Sequence, residues 1–265
     1  MAKQETKALA KVDANTYAIQ QFDEAELRET VQINLGGENG IGEFDLVRAK
    51  VPSGGGIAWS VSGPDGEAAP TELVGVIVAN QARRSFWYKA IGDGENTPPD
   101  CWSPDGVTGL GPEADKVGGH CARCPKSQFG SAVKDGKPQK GQACSQKKML
   151  FLLPSDSILP MCVSLPPTSL AAFKQYLIGL IGKRLPVTGV VTRITLTKEK
   201  NAGGTAYAAA RFEAINTLDP EATKKFTEFG KMFDKMFRPS IPGVDRAIVT
   251  VDGKIVNKET GEVQE

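Results

Sequence analysis

Apolar residues recur along this chain with two periods, one of strands and one of helices. Phe44 to Val51 alternates apolar and polar positions, Gly54 to Gly56 interrupts it, and Ile57 to Val61 resumes it. Gly63, Pro64, Asp65 and Gly66 together give a strong turn signal. Leu73 to Asn80 is apolar enough for a buried strand, and Arg84 to Lys89 reads as a separate, aromatic one. Met149–Leu153 and Leu159–Leu165 predict two further short strands. Val187–Thr197 and Thr205–Ile215 predict a hairpin around Asn201 to Gly204, and Ala247–Val251 with Lys254–Val256 a last one across Asp252 and Gly253.

Helical spacing is found in three places. Asp23 to Leu35 predicts a short helix stopped by Gly36 and Gly37, behind a loose lead-in over residues 1–22. Pro166 to Ser169 opens a second helix with Leu170, Phe173, Leu177, Leu180 and Ile181 on one face, ended by Gly182 and Pro186. Asp219 as cap and Pro220 at the first position start a third. Ala222, Phe226, Phe229, Phe233 and Met236 form its apolar face, a stripe suited to core packing.

Residues 90–148 have neither period. A structureless segment of that length is improbable inside a folded protein, so something other than periodic packing must order it. The segment holds four of the five cysteines, spaced C-x19-C-x2-C-x19-C at Cys101, Cys121, Cys124 and Cys144. Cys121 and Cys124 make a tight knuckle that can present two thiolates to one tetrahedral ion, and a four-sulfur site leaves zinc no open position. Neighbouring Lys and Arg offset the thiolate charge. An iron–sulfur cluster uses the same ligands and stays open. So does the replacement of one cysteine by His120, the single histidine. Cys162, in an apolar strand, reads as a buried hydrophobe.

Composition adds little until it is resolved along the chain. With 40% hydrophobic and 24% charged residues the chain is of ordinary globular make-up. Its apolar runs are too short to cross a bilayer, and its first residues do not form a secretory signal, so a cytoplasmic location is expected and disulfides are disfavoured. Net charge is +1, but nine acids face four bases over residues 1–45, and eight bases face one acid over 116–148. No nucleophile triad, phosphate loop or nucleotide fingerprint is present, and the reading is of a protein that is not an enzyme. Asp100 and Asp105, which flank Cys101, suit turn formation better than a carboxylate-based nuclease.

Single-stranded nucleic acid is held by cationic grooves with rings on which bases stack. Arg84, Phe86 and Tyr88 would share one strand face, with Trp87 opposite, and Arg193, Tyr207 and Arg211 would share a polar face of the later hairpin. Lys126, Lys134, Lys137 and Lys140 are the candidate phosphate contacts.

The runs Val51–Gly55, Cys101–Gly106, Gly119–Pro125, Phe129–Ser131, Lys140–Cys144 and Leu165–Leu170 resemble proteins encoded by tailed phages and mobile elements. The combination of short strands, a cysteine insertion and a basic, aromatic face is similar to the zinc-bearing single-stranded DNA-binding proteins of T-even phages. It departs from them in the wider cysteine spacing and the thin acidic tail. The resemblance implies a mainly β (α+β) protein with an OB-like barrel, an inserted four-cysteine zinc subdomain and two packed helices. The expected domains are an acidic segment 1–43, a core 44–238 with its Zn2+ insertion at 95–148, and a hairpin and tail 239–265. The implied partners are single-stranded DNA and proteins of replication or recombination, in a host cytoplasm. The rival expectation is a zinc-stabilised interaction module docking on replication or transcription machinery.

Overall fold

The computed structural model describes residues 10–11, 17, 24–35, 41, 45–63, 66–88, 99–111, 114–117, 119–134, 136–201, 203–236, 248–251, 254–257 and 263–264. The fold is mainly β. Its strands are β1 (Ala10–Lys11), β2 (Arg48–Lys50), β3 (Ser60–Gly63), β4 (Gly66–Ala68), β5 (Glu72–Phe86), β6 (Cys101–Ser103), β7 (Val133–Lys134), β8 (Lys137–Pro138), β9 (Ser145–Leu153), β10 (Met161–Leu165), β11 (Val190–Lys200), β12 (Ala206–Thr217), β13 (Ile248–Val251), β14 (Lys254–Asn257) and β15 (Val263–Gln264). The helices are α1 (Glu24–Leu35), the short α2 (Ala114–Val117), α3 (Pro167–Gly182) and α4 (Pro220–Met236). None of the described helices is long and apolar enough to cross a membrane.

The main sheet runs β1-β12-β11-β5-β9-β10-β2-β3-β4, with β6 paired to β5 off this path. Most of its pairings are antiparallel, but β1–β12 and β10–β2 are parallel. β13, β14 and β15 form a separate three-stranded sheet, one strand more than the expected hairpin.

The chain divides into two compact units. The first comprises residues 1–28, 47–80 and 150–235, and the second 29–46, 81–149 and 236–265. The division falls within β5 and β9. β5 itself corrects the expectation of two strands. Gln81, Ala82 and Arg83 contain no turn former, so the backbone stays extended through all 15 residues.

In the first unit the strand periodicity works as expected. Leu73, Ile77, Leu150, Leu152, Val163, Leu165, Ile194 and Leu196 are buried in one core with Trp59 and Phe173. Each such side chain contributes about 1.5–3 kcal/mol on leaving water. Helix α3 begins after Pro166, and its buried Ser169 Oγ accepts the Ala210 amide at 2.9 Å. Phe173 meets Phe212 of β12 with ring centroids 5.1 Å apart.

Helix α4 is capped as its sequence indicates: Asp219 Oδ1 accepts the Ala222 amide at 2.8 Å. Phe226, Phe229 and Phe233 are buried, with Phe226 edge-on to Tyr17 and Phe233 edge-on to Phe151. Met236 lies outside the residues whose side chains are described. The helix reaches the sheet only because residue 230 is glycine: a Cβ there would stand 2.1 Å from the Val78 carbonyl oxygen. Gly230→Ala must therefore push α4 off β5. The expected loss is about 1–3 kcal/mol, the range for overpacking a filled site, read as a lower urea midpoint with an unchanged slope.

Candidate metal centre

The second unit orders its aperiodic segment on the end of β5. Strand β6 pairs antiparallel there, with Phe86 opposite Cys101, Ser85 opposite Trp102 and Arg84 opposite Ser103. Directly opposed residues share a sheet face, so Cys101 lies with Phe86, Arg84 and Ser103.

Beyond β6 the chain turns on Asp105. Its Oδ1 accepts the Val107 amide at 2.7 Å, the Thr108 amide at 3.0 Å and the Ser103 hydroxyl at 2.9 Å. Burial works to raise this carboxyl's pKa, but these hydrogen bonds and one from its own backbone outweigh it and hold it below the usual carboxylate range. Asp100 accepts the Tyr88 amide at 2.7 Å. Both acids serve local backbone structure.

The knuckle docks against this turn through backbone hydrogen bonds. Cys121 donates to Val107 O at 2.7 Å, Gly109 donates to Gly119 O at 2.5 Å, and Thr108 bridges His120. The approach is close at Gly109, where a Cβ would lie 3.0 Å from Gly119 O and 3.1 Å from Cys101 Sγ. Ser127 is buried, and its hydroxyl reaches the Cys121 and Cys124 carbonyls at 2.5 and 2.8 Å. Ser131 ties the last cysteine in. Its Oγ lies 3.0 Å from Lys126 O and accepts the Ala143 amide at 3.0 Å, while the Cys144 amide donates to Lys126 O at 2.8 Å.

Four cysteines from three separated stretches of chain thus line one cavity with Arg84, Phe86 and Lys126. All four are buried, and none is in a disulfide. His120 is exposed while Cys121 beside it is buried, because neighbouring residues cannot both turn inward here. Burial first, and then the Cys144, Cys121 and Cys124 sulfurs, push the Cys101 thiol up to about 11. Burial raises Cys144 too, opposed by the charge and hydrogen bond of Arg84. Arg84 Nη1 is buried with no hydrogen-bond partner, which leaves the guanidinium donor capacity toward thiolate. Among the described residues no three His, Cys, Asp or Glu side chains close to metal-binding spacing. The thiols face a common space without reaching that closure. Their chemistry suits a soft divalent ion: four buried sulfurs lining a pocket that already contains a guanidinium.

The other candidates divide between the units. Beside the cysteine cavity, Lys126 Nζ sits 5.4 Å from the Phe86 ring centroid and 5.9 Å from that of Tyr88, and the two rings meet edge-on at 4.9 Å. Phe86 is buried, which removes it as a stacking surface for a base, and Arg84 is committed to the cysteines. Tyr88 is 54% exposed, and Trp87 is half-buried. Lys134 and Lys137 are paired across the β7–β8 hairpin, and Lys137 and Lys140 are exposed.

Arg193, Tyr207 and Arg211 belong to the first unit and do share a polar face, as expected. That face is not cationic, however. Arg193 pairs with Glu72 at 3.0 Å and with Glu213 at 3.3 Å, Arg211 pairs with Glu199, and the Tyr207 hydroxyl donates to Glu199 at 2.9 Å. Glu213 and Glu199 alternate in register with the arginines, a signal present in the sequence, whereas Glu72 comes from β5.

No protein-family model, curated protein or solved structure matches this chain.

Ser127→Ala would remove the buried hydroxyl shared by the two knuckle carbonyls, each of which keeps a backbone amide donor. The expected cost is about 0.5–1.5 kcal/mol, seen as a lower melting temperature together with faster amide exchange at Cys124 and Ser127.

Proposed function

We propose that Cys101, Cys121, Cys124 and Cys144 hold a structural zinc ion, and that the unit it braces binds single-stranded DNA. The observation that carries the first half is the convergence of four buried thiols on one cavity beside Arg84. Zinc would supply the positive charge that lets all four ionise together, and its role would be to hold the fold, since four sulfurs leave no coordination position for chemistry. Nothing in the arrangement calls for a catalytic role, and the reading is of a binding protein.

The second half rests on what surrounds the cysteines. Tyr88 offers an exposed ring in contact range of a cation, Lys126, and Lys137 and Lys140 stand exposed on a stretch with eight bases and one acid. Rings among cations suit a polyanion whose bases are unpaired. The antiparallel run β12-β11-β5 supplies strands of the kind that an OB-like barrel uses. The ion pairs on β11 and β12 make Arg193, Tyr207 and Arg211 secondary to the contacts near the cysteines. Replication or recombination in a phage-infected cytoplasm would supply such single strands, in keeping with the resemblance of the cysteine-bearing runs. A docking module is the second reading. The observation that favours it is on α3, where Ile178 and Ile181 are 48% and 72% exposed.

Elemental analysis of the purified protein should find about one zinc per chain. Cys124→Ser should lose it and make residues 99–148 protease-sensitive. A metal-free preparation, or a visible iron–sulfur chromophore, would sink the zinc assignment.

For DNA, titration of single- and double-stranded oligonucleotides at two salt concentrations separates the two readings. Single-strand binding that falls steeply with salt supports ours, because counterion release dominates phosphate contact. Tyr88→Ala should weaken binding by about 1–3 kcal/mol at constant salt slope. Lys137→Ala should lower the slope by about 0.7, the value for one phosphate of a single strand.

A further inference from the structure

The most exposed large apolar side chain of the cysteine-bearing unit lies outside the residues that line the cavity. Phe129 is 83% exposed, the highest value among the large apolar residues described. It follows the knuckle, Cys121 to Cys124, and the short helical turn Pro125–Ser127. A phenyl ring in water forgoes the roughly 1.5–3 kcal/mol that burial gives, and no local need for it is visible. Backbone requirements do not ask for an aromatic there.

The turn that carries Phe129 is held firmly. On one side, Ser131 Oγ bonds the Gln128 carbonyl at 2.6 Å, and Gln128 Nε2 donates to Ala122 O at 3.1 Å. On the other, the Gly130 amide donates to Gly141 O at 2.9 Å and approaches Lys140 O at 3.2 Å, and the Ala132 amide donates to Gly141 O at 3.2 Å. Phe129 is therefore one residue from a backbone pairing with the segment bearing Lys140. The β7–β8 hairpin follows, with Val133 67% exposed and Lys137 exposed. The ring stands on a backbone fixed through many hydrogen bonds, close in the chain to cations and with no acid but Asp135 over residues 116–148.

From this we infer that Phe129 is a stacking platform for one base of a single strand, with Lys140 and Lys137 taking adjacent phosphates. This rests on the single-stranded DNA reading and names a contact that reading did not contain. A protein partner would have to match a lone ring amid like charges. A nucleic acid supplies the two complements together, a flat π face and negative charge on either side. A backbone already held in place also loses little entropy when a base settles on the ring it carries.

The experiment uses the full-length, zinc-loaded chain and a fluorescein-labelled oligothymidylate. Phe129→Ala should weaken binding about five- to a hundredfold, the stacking range for one base, and Phe129→Trp should restore it. Zinc content, melting temperature and the salt slope should all stay at the parent values. Lys140→Ala should instead lower the slope. Parent-like affinity in Phe129→Ala, while Tyr88→Ala still weakens binding, would overturn this inference and leave the broader reading standing. An unmodified chain that fails to bind the oligonucleotide overturns both. Loss of zinc or melting temperature in Phe129→Ala would also overturn it, by making the ring structural. So would an unchanged oligonucleotide affinity combined with lost self-association or lost protein binding.

Discussion

Four buried cysteines brought from three stretches of chain onto one cavity are the constraint on which the second unit depends. Cys101 is pushed up to about 11 by burial and by its three partners, so the protonated form prevails when nothing else is present. Arg84 opposes the upward shift at Cys144, through its charge and a hydrogen bond. A divalent ion would offset the charge of four thiolates at once, which is the physical content of the proposed zinc site. The surrounding backbone is arranged to make the approach possible. β6 is laid on β5, the knuckle on the Asp105 turn, and Cys144 on the Lys126 carbonyl.

Much of the first unit was legible because its order comes from periodic burial. The long hairpin, the α4 cap at Asp219 and the phenylalanine stripe follow from spacing and from one capping residue. The length of β5 was not legible, since strand patterning fades where Gln81, Ala82 and Arg83 replace alternating apolar residues, although the ladder continues through them. Residues 99–148 were legible only as an exception. Their order depends on side chains that bond to backbone, Asp105, Ser127, Gln128 and Ser131, and on isolated bridges, and none of these produces a period.

The charge pattern differs between the two units for a reason of strand geometry. Residues 116–148 hold eight bases and a single acid. On β11 and β12 the arginines are balanced by acids. Each arginine is opposed, across a strand or from β5, by a carboxylate distant in sequence, and these exposed pairs contribute at most about 1 kcal/mol each while cancelling the local field. An arginine–aromatic pattern in a strand is therefore informative only together with the residues on its neighbours.

The main sheet ends, among the described residues, on β1 with two residues and on β4 with three. Every residue of β4 is exposed, and Glu67 sits in its middle. Short, charged borders leave few free amides and carbonyls in a row, so another chain finds little ladder on which to extend. Borders as short and charged as β1 and β4 thus disfavour edge-to-edge growth of the sheet at those two strands.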